Sequence, residues 1–191
     1  MQFVLASKNQ HKQQELQQIL APYGIELVLQ SRLGLELEVE ETGQTFRENA
    51  LIKARAVANF CHCAALADDS GLTVDALGGR PGVHSARYCG VHGDDEANNQ
   101  LLLKELEEVA EPRTARYECA VALCAPGRED VVGEGACEGE ILRQYQGEGG
   151  FGYDPLFLSH DLGVTFAQAD AAAKNAVSHR ARAIADLLKK L

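Results

Sequence analysis

The chain reads as an α/β protein with a mixed sheet flanked by helices. Three observations predict it. Short apolar runs alternate with helix-period segments along the whole length. Helix-start signals stand at Asn9, at Thr45 and at Asp94-Asp95. Hydrophobic residues make up 46% of the 191 residues, which suits one packed domain over 1–191 and disfavours disorder. The apolar run 3–6 is a first strand, and Asn9 caps a helix running to about residue 23 with Leu16, Ile19 and Leu20 on one face. Residues 26–29 make a second strand. Thr45-Phe46-Arg47-Glu48 is a capping box, so a helix starts there and reaches about residue 60. Residues 64–67 and 72–77 are strands on either side of an acidic turn, and 78–82 is a loop. Asp94 or Asp95 caps a helix to about residue 108. Residues 116–124 and 131–142 form two long strands joined through Pro126-Gly127. A glycine-rich loop spans 147–155. A closing amphipathic helix covers 174–191, with Ile184, Leu187, Leu188 and Leu191 as its apolar stripe.

Charge narrows the function. The chain carries 28 Asp+Glu against 18 Lys+Arg, a net charge of -10, which argues against a duplex-DNA binder. An anionic small substrate remains compatible, because local lysines and a metal can focus a positive field inside a negative molecule. No apolar run is long enough to span a membrane, and Met1 to Ala6 lacks the pattern of a signal peptide, so a cytoplasmic location is expected. The 6 cysteines are expected to be reduced. Cys61-His62-Cys63 is their one cluster; without a second pair to complete a zinc set, it reads as small apolar side chains near a helix end.

Three constellations carry chemistry. Ser7-Lys8-Asn9-Gln10-His11-Lys12 lies where the first strand meets a helix, where free N–H groups and the helix dipole can seat phosphate oxygens. Ser7 and Asn9 add hydrogen bonds and Lys12 a point charge, with Lys53 supplying a second charge from the next helix; a plain cap with solvated lysines is the ordinary alternative. In Ala67-Asp68-Asp69-Ser70-Gly71 two acids end an apolar run, and at a strand end both can reach one cleft. With Glu41 they suit Mg²⁺, which takes one or two carboxylates and leaves positions for water and phosphate. Asp69 is assigned the proton from the attacking water, and Glu41, Asp68 and Asp69 the metal.

The third constellation suits a base. Phe151 stands among Gly149, Gly150 and Gly152 and can stack on a nucleobase, while Asp154 accepts from ring N–H groups or orders the loop. Lys174 and Ser178, one helical turn apart, share a face, and His179 and Arg180 flank it. The Arg180 guanidinium suits the carbonyl of an oxopurine and would reject the amino group of adenine.

In this order, the motifs resemble the inosine triphosphate pyrophosphatase family. The resemblance rests on Ser7-x-Asn9-x-x-Lys12, Glu40-Glu41-Thr42-Gly43, Glu48-Asn49-Ala50 with Lys53-Ala54, and Ala67 to Leu72. It continues through Ala76 to Gly82, Ser85-Ala86-Arg87-Tyr88, Gly149 to Pro155 and Ser178-His179-Arg180. It implies an elongated fold of two lobes with a central active-site cleft, usually homodimeric. The implied activity is Mg²⁺-dependent hydrolysis of inosine, deoxyinosine and xanthosine triphosphates between the α and β phosphates. It places Asp69 as proton acceptor and metal contact, with Glu41 and Asp68 at the metal and Ser7, Asn9, Lys12 and Lys53 at the phosphates. It gives Ser70, Phe151, Gly152, Tyr153, Asp154, Lys174, His179 and Arg180 to the nucleoside. Lys8 occupies a slot where many relatives carry glycine, and Ala167-Gln168-Ala169 and Ala173 replace a stretch usually richer in acids before Lys174. Two rival readings are a pyrophosphatase for pyrimidine or modified nucleotides and a nucleotide sensor that does not hydrolyse. Turnover of uridine and thymidine triphosphates separates the first, and binding without product the second.

Overall fold

The structure, a computed structural model, describes residues 1–34 and 37–191. Six strands form a mixed sheet in the order β2-β1-β3-β4-β5-β6. The chain divides into two compact units. The first holds Met1–Asp69, Cys119–Gly135 and Arg180–Leu191, and the second Ser70–Glu118 and Ala136–His179.

In the first unit β1 (Gln2–Leu5) runs parallel to β2 (Glu26–Leu29), with Gln2 opposite Glu26. It also runs parallel to β3 (Ala65–Val74), with Val4 opposite Ala65 and Leu5 opposite Leu66. Between β1 and β2 lies α1 (Gln10–Leu20), where the Asn9 side chain accepts from the Lys12 N–H as the cap predicts. Helix α2 (Phe46–Cys61) begins on the complete capping box of Thr45 and Glu48. Helix α5 (His179–Leu188) closes the chain.

Strand alternation sorts this core into two layers. Phe3, Leu5, Leu66, Cys119 and Val121 pack with Leu16 and Leu20 of α1 and with Ala183, Ile184 and Leu187 of α5. The alternate residues Val4, Ala65, Ala67, Ala120 and Ala122 pack with Ala50, Ala54, Val57 and Ala58 of α2. The alanines on both sides let α2 lie close to its strands. Gly133 serves the same end on the other face, since a Cβ there would collide with the backbone of α5 at Ala183 and Leu187.

The second unit has its own core. Leu72 and Val74 of β3, Ala115 and Tyr117 of β4 (Thr114–Cys124), and Cys137 and Ile141 of β5 (Val131–Ile141) meet Leu102 and Leu106. Leu102 lies in α3 (Asp95–Glu105), capped by the Asp94 side chain on the Ala97 N–H, and Leu106 caps its C-terminal end. Tyr117, Phe157 and Phe166 form an aromatic cluster, Tyr117 meeting Phe157 edge-on at 4.7 Å and stacking on Phe166 at 5.7 Å.

The structure corrects four expectations. Residues 64–67 and 72–77 are not two strands around a turn: β3 is continuous from Ala65 to Val74, and Asp68 and Asp69 lie inside it. Acids survive there because each meets cations on its own side of the sheet, a tertiary compensation that local composition does not carry. The closing helix is two helices, α4 (Ala171–Val177) and α5, separated by Ser178 in extended backbone at φ -63, ψ 154, so Lys174 and Ser178 do not share a helical face. Helix α1 ends at Leu20, where Pro22 and Gly24 shape a short 3₁₀ turn. A short strand, β6 (Phe157–Ser159), antiparallel to β5, follows the glycine-rich loop and escaped the sequence reading because 3 residues carry too little pattern.

Candidate active site

The acidic loop, α2 and β3 build the first part of the site, inside the first unit. Lys53 projects from the second turn of α2, and its ammonium lies 2.8 Å from Glu41 and 3.2 Å from Asp69. Asn49, one helical turn before Lys53, donates its amide to Asp69 Oδ2 at 3.1 Å. The Asn49 carbonyl oxygen accepts from the Gly43 N–H at 2.8 Å. One buried asparagine thus ties the loop carrying Glu41 to the strand carrying Asp69. Gly43 has no room for a side chain, since a Cβ would lie 2.6 Å from Asn49 Oδ1 and 2.7 Å from Glu48 Cβ.

Asp68 belongs to a different network. Alternation along β3 sends it to the α1 and α5 face, where Lys12 lies 3.1 Å and the Arg180 Nε 3.2 Å from its Oδ2. Arg180 also holds Glu15 of α1 at 3.1 Å, and all three side chains of this Asp68–Arg180–Glu15 chain are buried. One expectation changes. Asp68 does not join Glu41 and Asp69 around one point, and among the described residues no group of three or more His, Cys, Asp or Glu is placed to hold a metal. Arg180 points its Nε at Asp68 and its Nη1 at Glu15, so its counter-charges lie on β3 and α1.

The electrostatics of the two aspartates diverge accordingly. Burial works against the charge on Asp68, yet Lys12 and Arg180, with Lys53 behind them, hold its carboxyl well below the usual range. Burial dominates at Asp69 and pushes its carboxyl up, helped by Glu41 and opposed by Lys53, Lys12 and the Asn49 amide. For Lys53, burial would lower the ammonium, but Asp69, Asp68 and Glu41 outweigh it and raise it.

The loop before α1 is ordered by its own side chains. Ser7 Oγ accepts from the Asn9 N–H at 3.2 Å, and Asn9 Oδ1 accepts from the Lys12 N–H at 3.1 Å. Lys8 reaches Glu38 at 3.0 Å on the surface, and Gln10 and His11 are exposed.

The second unit carries the aromatic and glycine-rich residues. Asp154 is buried and is the hub of its loop: it takes the Lys174 ammonium at 2.8 Å, the Tyr117 hydroxyl at 3.1 Å and the Phe151 N–H at 3.0 Å. Lys174 also lies 4.9 Å from the centre of the Phe151 ring and 5.3 Å from that of Phe166. His179 stacks on Tyr117 at 4.8 Å, nearly parallel. Tyr153 is buried and donates its hydroxyl to the Ser85 carbonyl at 2.8 Å. Both polar groups of Gly152 are held from α3, its N–H by Asp95 at 2.8 Å and its carbonyl by Asn99 at 3.0 Å. Ser70 is partly exposed on β3.

Sequence reasoning gave no site role to Asn49, Glu15, Tyr117, Asp95 and Asn99. Asn49 had a usable signal: a buried amide one turn before Lys53 on a capped helix is costly without a partner. The others are recruited by elements distant in sequence, and no local pattern announces them.

A model of the Ham1 family matches residues 3–190. The chain is 47% identical over 189 residues to a protein of Bacillus subtilis named dITP/XTP pyrophosphatase, covering 98% of this chain and 96% of that one. It is 51% identical over 187 residues to a Geobacter sulfurreducens protein of the same name, covering 97% and 94%. The solved structure of the Staphylococcus aureus Ham1 protein superposes with a TM-score of 0.87 at 40% identity, covering 100% of this chain and 97% of that chain.

Proposed function

The chain belongs to the Ham1 family, and from that membership we propose that it is a nucleoside triphosphate pyrophosphatase acting on inosine, deoxyinosine and xanthosine triphosphates. Its products are the nucleoside monophosphate and pyrophosphate, which removes aberrant purines from the nucleotide pool. The names of its relatives support the substrate class. The observation that carries the chemistry is the pair Glu41 and Asp69, two carboxylates sharing one ammonium and braced by Asn49.

Mg²⁺ fits these two residues. Both are hard oxygen donors, and both already reach one cation, the Lys53 ammonium. When bound, the ion would screen the triphosphate charge and polarise the reacting phosphorus. The chain's own groups do the rest. Asp69, whose carboxyl is raised by burial, takes the proton from the water that attacks the α-phosphorus. Asn49 fixes the orientation of that carboxylate. Lys53, and Lys12 with the positive end of the α1 dipole, offset charge gathering on the departing pyrophosphate. Asp68 keeps Lys12 in place rather than binding metal. In the second unit Phe151 offers a stacking face, the Asp154 hub holds its loop in shape, and Lys174, His179 and Tyr153 complete the nucleoside contacts. The resemblance to homodimeric cytoplasmic enzymes supports the same assembly here, which sedimentation velocity measures.

The test is pyrophosphate release from a panel of nucleoside triphosphates with and without Mg²⁺. Inosine, deoxyinosine and xanthosine triphosphates should be turned over well above adenosine, thymidine and uridine triphosphates. Asp69→Asn should lower the rate by about 10²–10⁴-fold. Parent-like turnover by that variant, or equal rates across the panel, would overturn the assignment.

A further inference from the structure

The end of α2 carries a pair of thiols that the hydrolytic site does not use. Cys61 is the last residue of α2, and His62, in the left-handed region at φ 51, ψ 35, turns the chain so that Cys63 folds back beside it. The two Sγ atoms lie 3.0 Å apart, and both residues are free thiols reachable from solvent in part. Two unbonded sulfur atoms ordinarily keep a wider separation, and a disulfide needs about 2.05 Å between them, so closure requires a shift of roughly 1 Å. The Cys61 thiol meanwhile donates to the Val57 carbonyl at 2.8 Å, which fixes its direction. Cys119 and Cys124 are buried within the sheet and Cys137 in the second core, where small oxidants do not reach.

We propose that Cys61 and Cys63 form a thiol–disulfide couple that reacts with low-molecular-weight disulfides. One cysteine thiolate attacks a sulfur of the small disulfide, forming a mixed disulfide and releasing one small thiolate. The second cysteine thiolate then attacks the protein sulfur of that mixed disulfide, closing the Cys61–Cys63 bond and releasing the second small thiolate. The two protons lost by the protein thiols end on the two small thiols, and the small disulfide is the species reduced. The Cys63 thiol is pushed up to about 11, chiefly by burial and then by its bond with Cys61, so that thiol rests protonated. Eight residues, about 12 Å of helix, separate Cys61 from Lys53 along α2, so the couple does not draw on the residues assigned to hydrolysis.

The experiment exposes the full chain to graded ratios of oxidised to reduced glutathione, traps free thiols with an alkylating agent and digests with trypsin. Arg80 precedes proline and resists cleavage, so the peptide 56–87 contains Cys61 and Cys63 and no other cysteine. As the ratio rises, this peptide should pass from doubly alkylated to an unalkylated form lighter than the dithiol by two hydrogens. In Cys63→Ser the same peptide should stop at one bound glutathione, and the reduced variant should release pyrophosphate as the parent does. A peptide that stays doubly alkylated at every ratio, or one that retains glutathione in the parent without closing, overturns the proposal.

Discussion

At Asp69 the cost of burying a carboxylate exceeds what its neighbours return, and this displacement gives a pH signature. The carboxyl is raised, so activity that needs it ionised should climb with pH through a limb lying above the ordinary aspartate range. The Asn49 amide lowers that carboxyl. Asn49→Ala should therefore move the acid limb of kcat/KM to higher pH and lower the plateau by about tenfold, which a pH-rate profile reads directly. Asp68 behaves in the opposite sense. Its carboxyl is depressed, so its contribution to stability is whole above about 3.9 and drains away as pH falls toward the depressed value. Asp68→Asn leaves Arg180 and Lys12 facing a neutral group in a buried setting, and should cost about 3 kcal/mol in urea unfolding at neutral pH. That loss should shrink as the pH is lowered and the parent carboxyl takes up its proton.

The element that organises the acidic site is α2, and its position was legible in the sequence. A capping box is a local signal: Thr45 Oγ1 accepts from the Glu48 N–H, and Glu48 Oε2 accepts from the Thr45 N–H, each at 3.1 Å. Thr45→Ala should cost about 1 kcal/mol of stability by chemical denaturation. The acidic loop depends on α2 through one close approach at Gly43. Gly43→Ala would drive a methyl group into Asn49, displace the loop carrying Glu41 and lower kcat/KM by about 10- to 100-fold, with little change in helix content by circular dichroism. Strand β3 was not legible in the same way. Two adjacent acids before Ser-Gly carry the composition of a turn, and only cations from α1, α2 and α5 let the pleat continue through them. The break at Ser178 is equally silent, because both flanking segments have good helix-forming composition and Ser178 simply adopts extended backbone between them.

For the whole molecule, a net charge of -10 sets a problem that any triphosphate substrate must meet. Repulsion between two anions has to be relieved locally, by Lys12, Lys53 and a divalent ion. Chelating divalent metal should therefore abolish pyrophosphate release and raise the apparent dissociation constant for inosine triphosphate, and Mg²⁺ should restore both; hydrolysis that persists in chelator counts against Glu41 and Asp69 as ligands. By itself the amino-acid sequence determined the α/β class, the capped starts of α1, α2 and α3 and the family resemblance, and it named the residues proposed for the site, since these are written in short-range pattern and residue type. Only the tertiary structure decided which partner each charge takes. It put Asp68 and Asp69 on opposite faces of one strand, gave Arg180 to buried carboxylates and made Asp154 the hub of its loop. The physical reason is that a charge inside a fold is governed by whatever neighbour lies within a few ångströms, and here those neighbours arrive from up to 165 residues away along the chain.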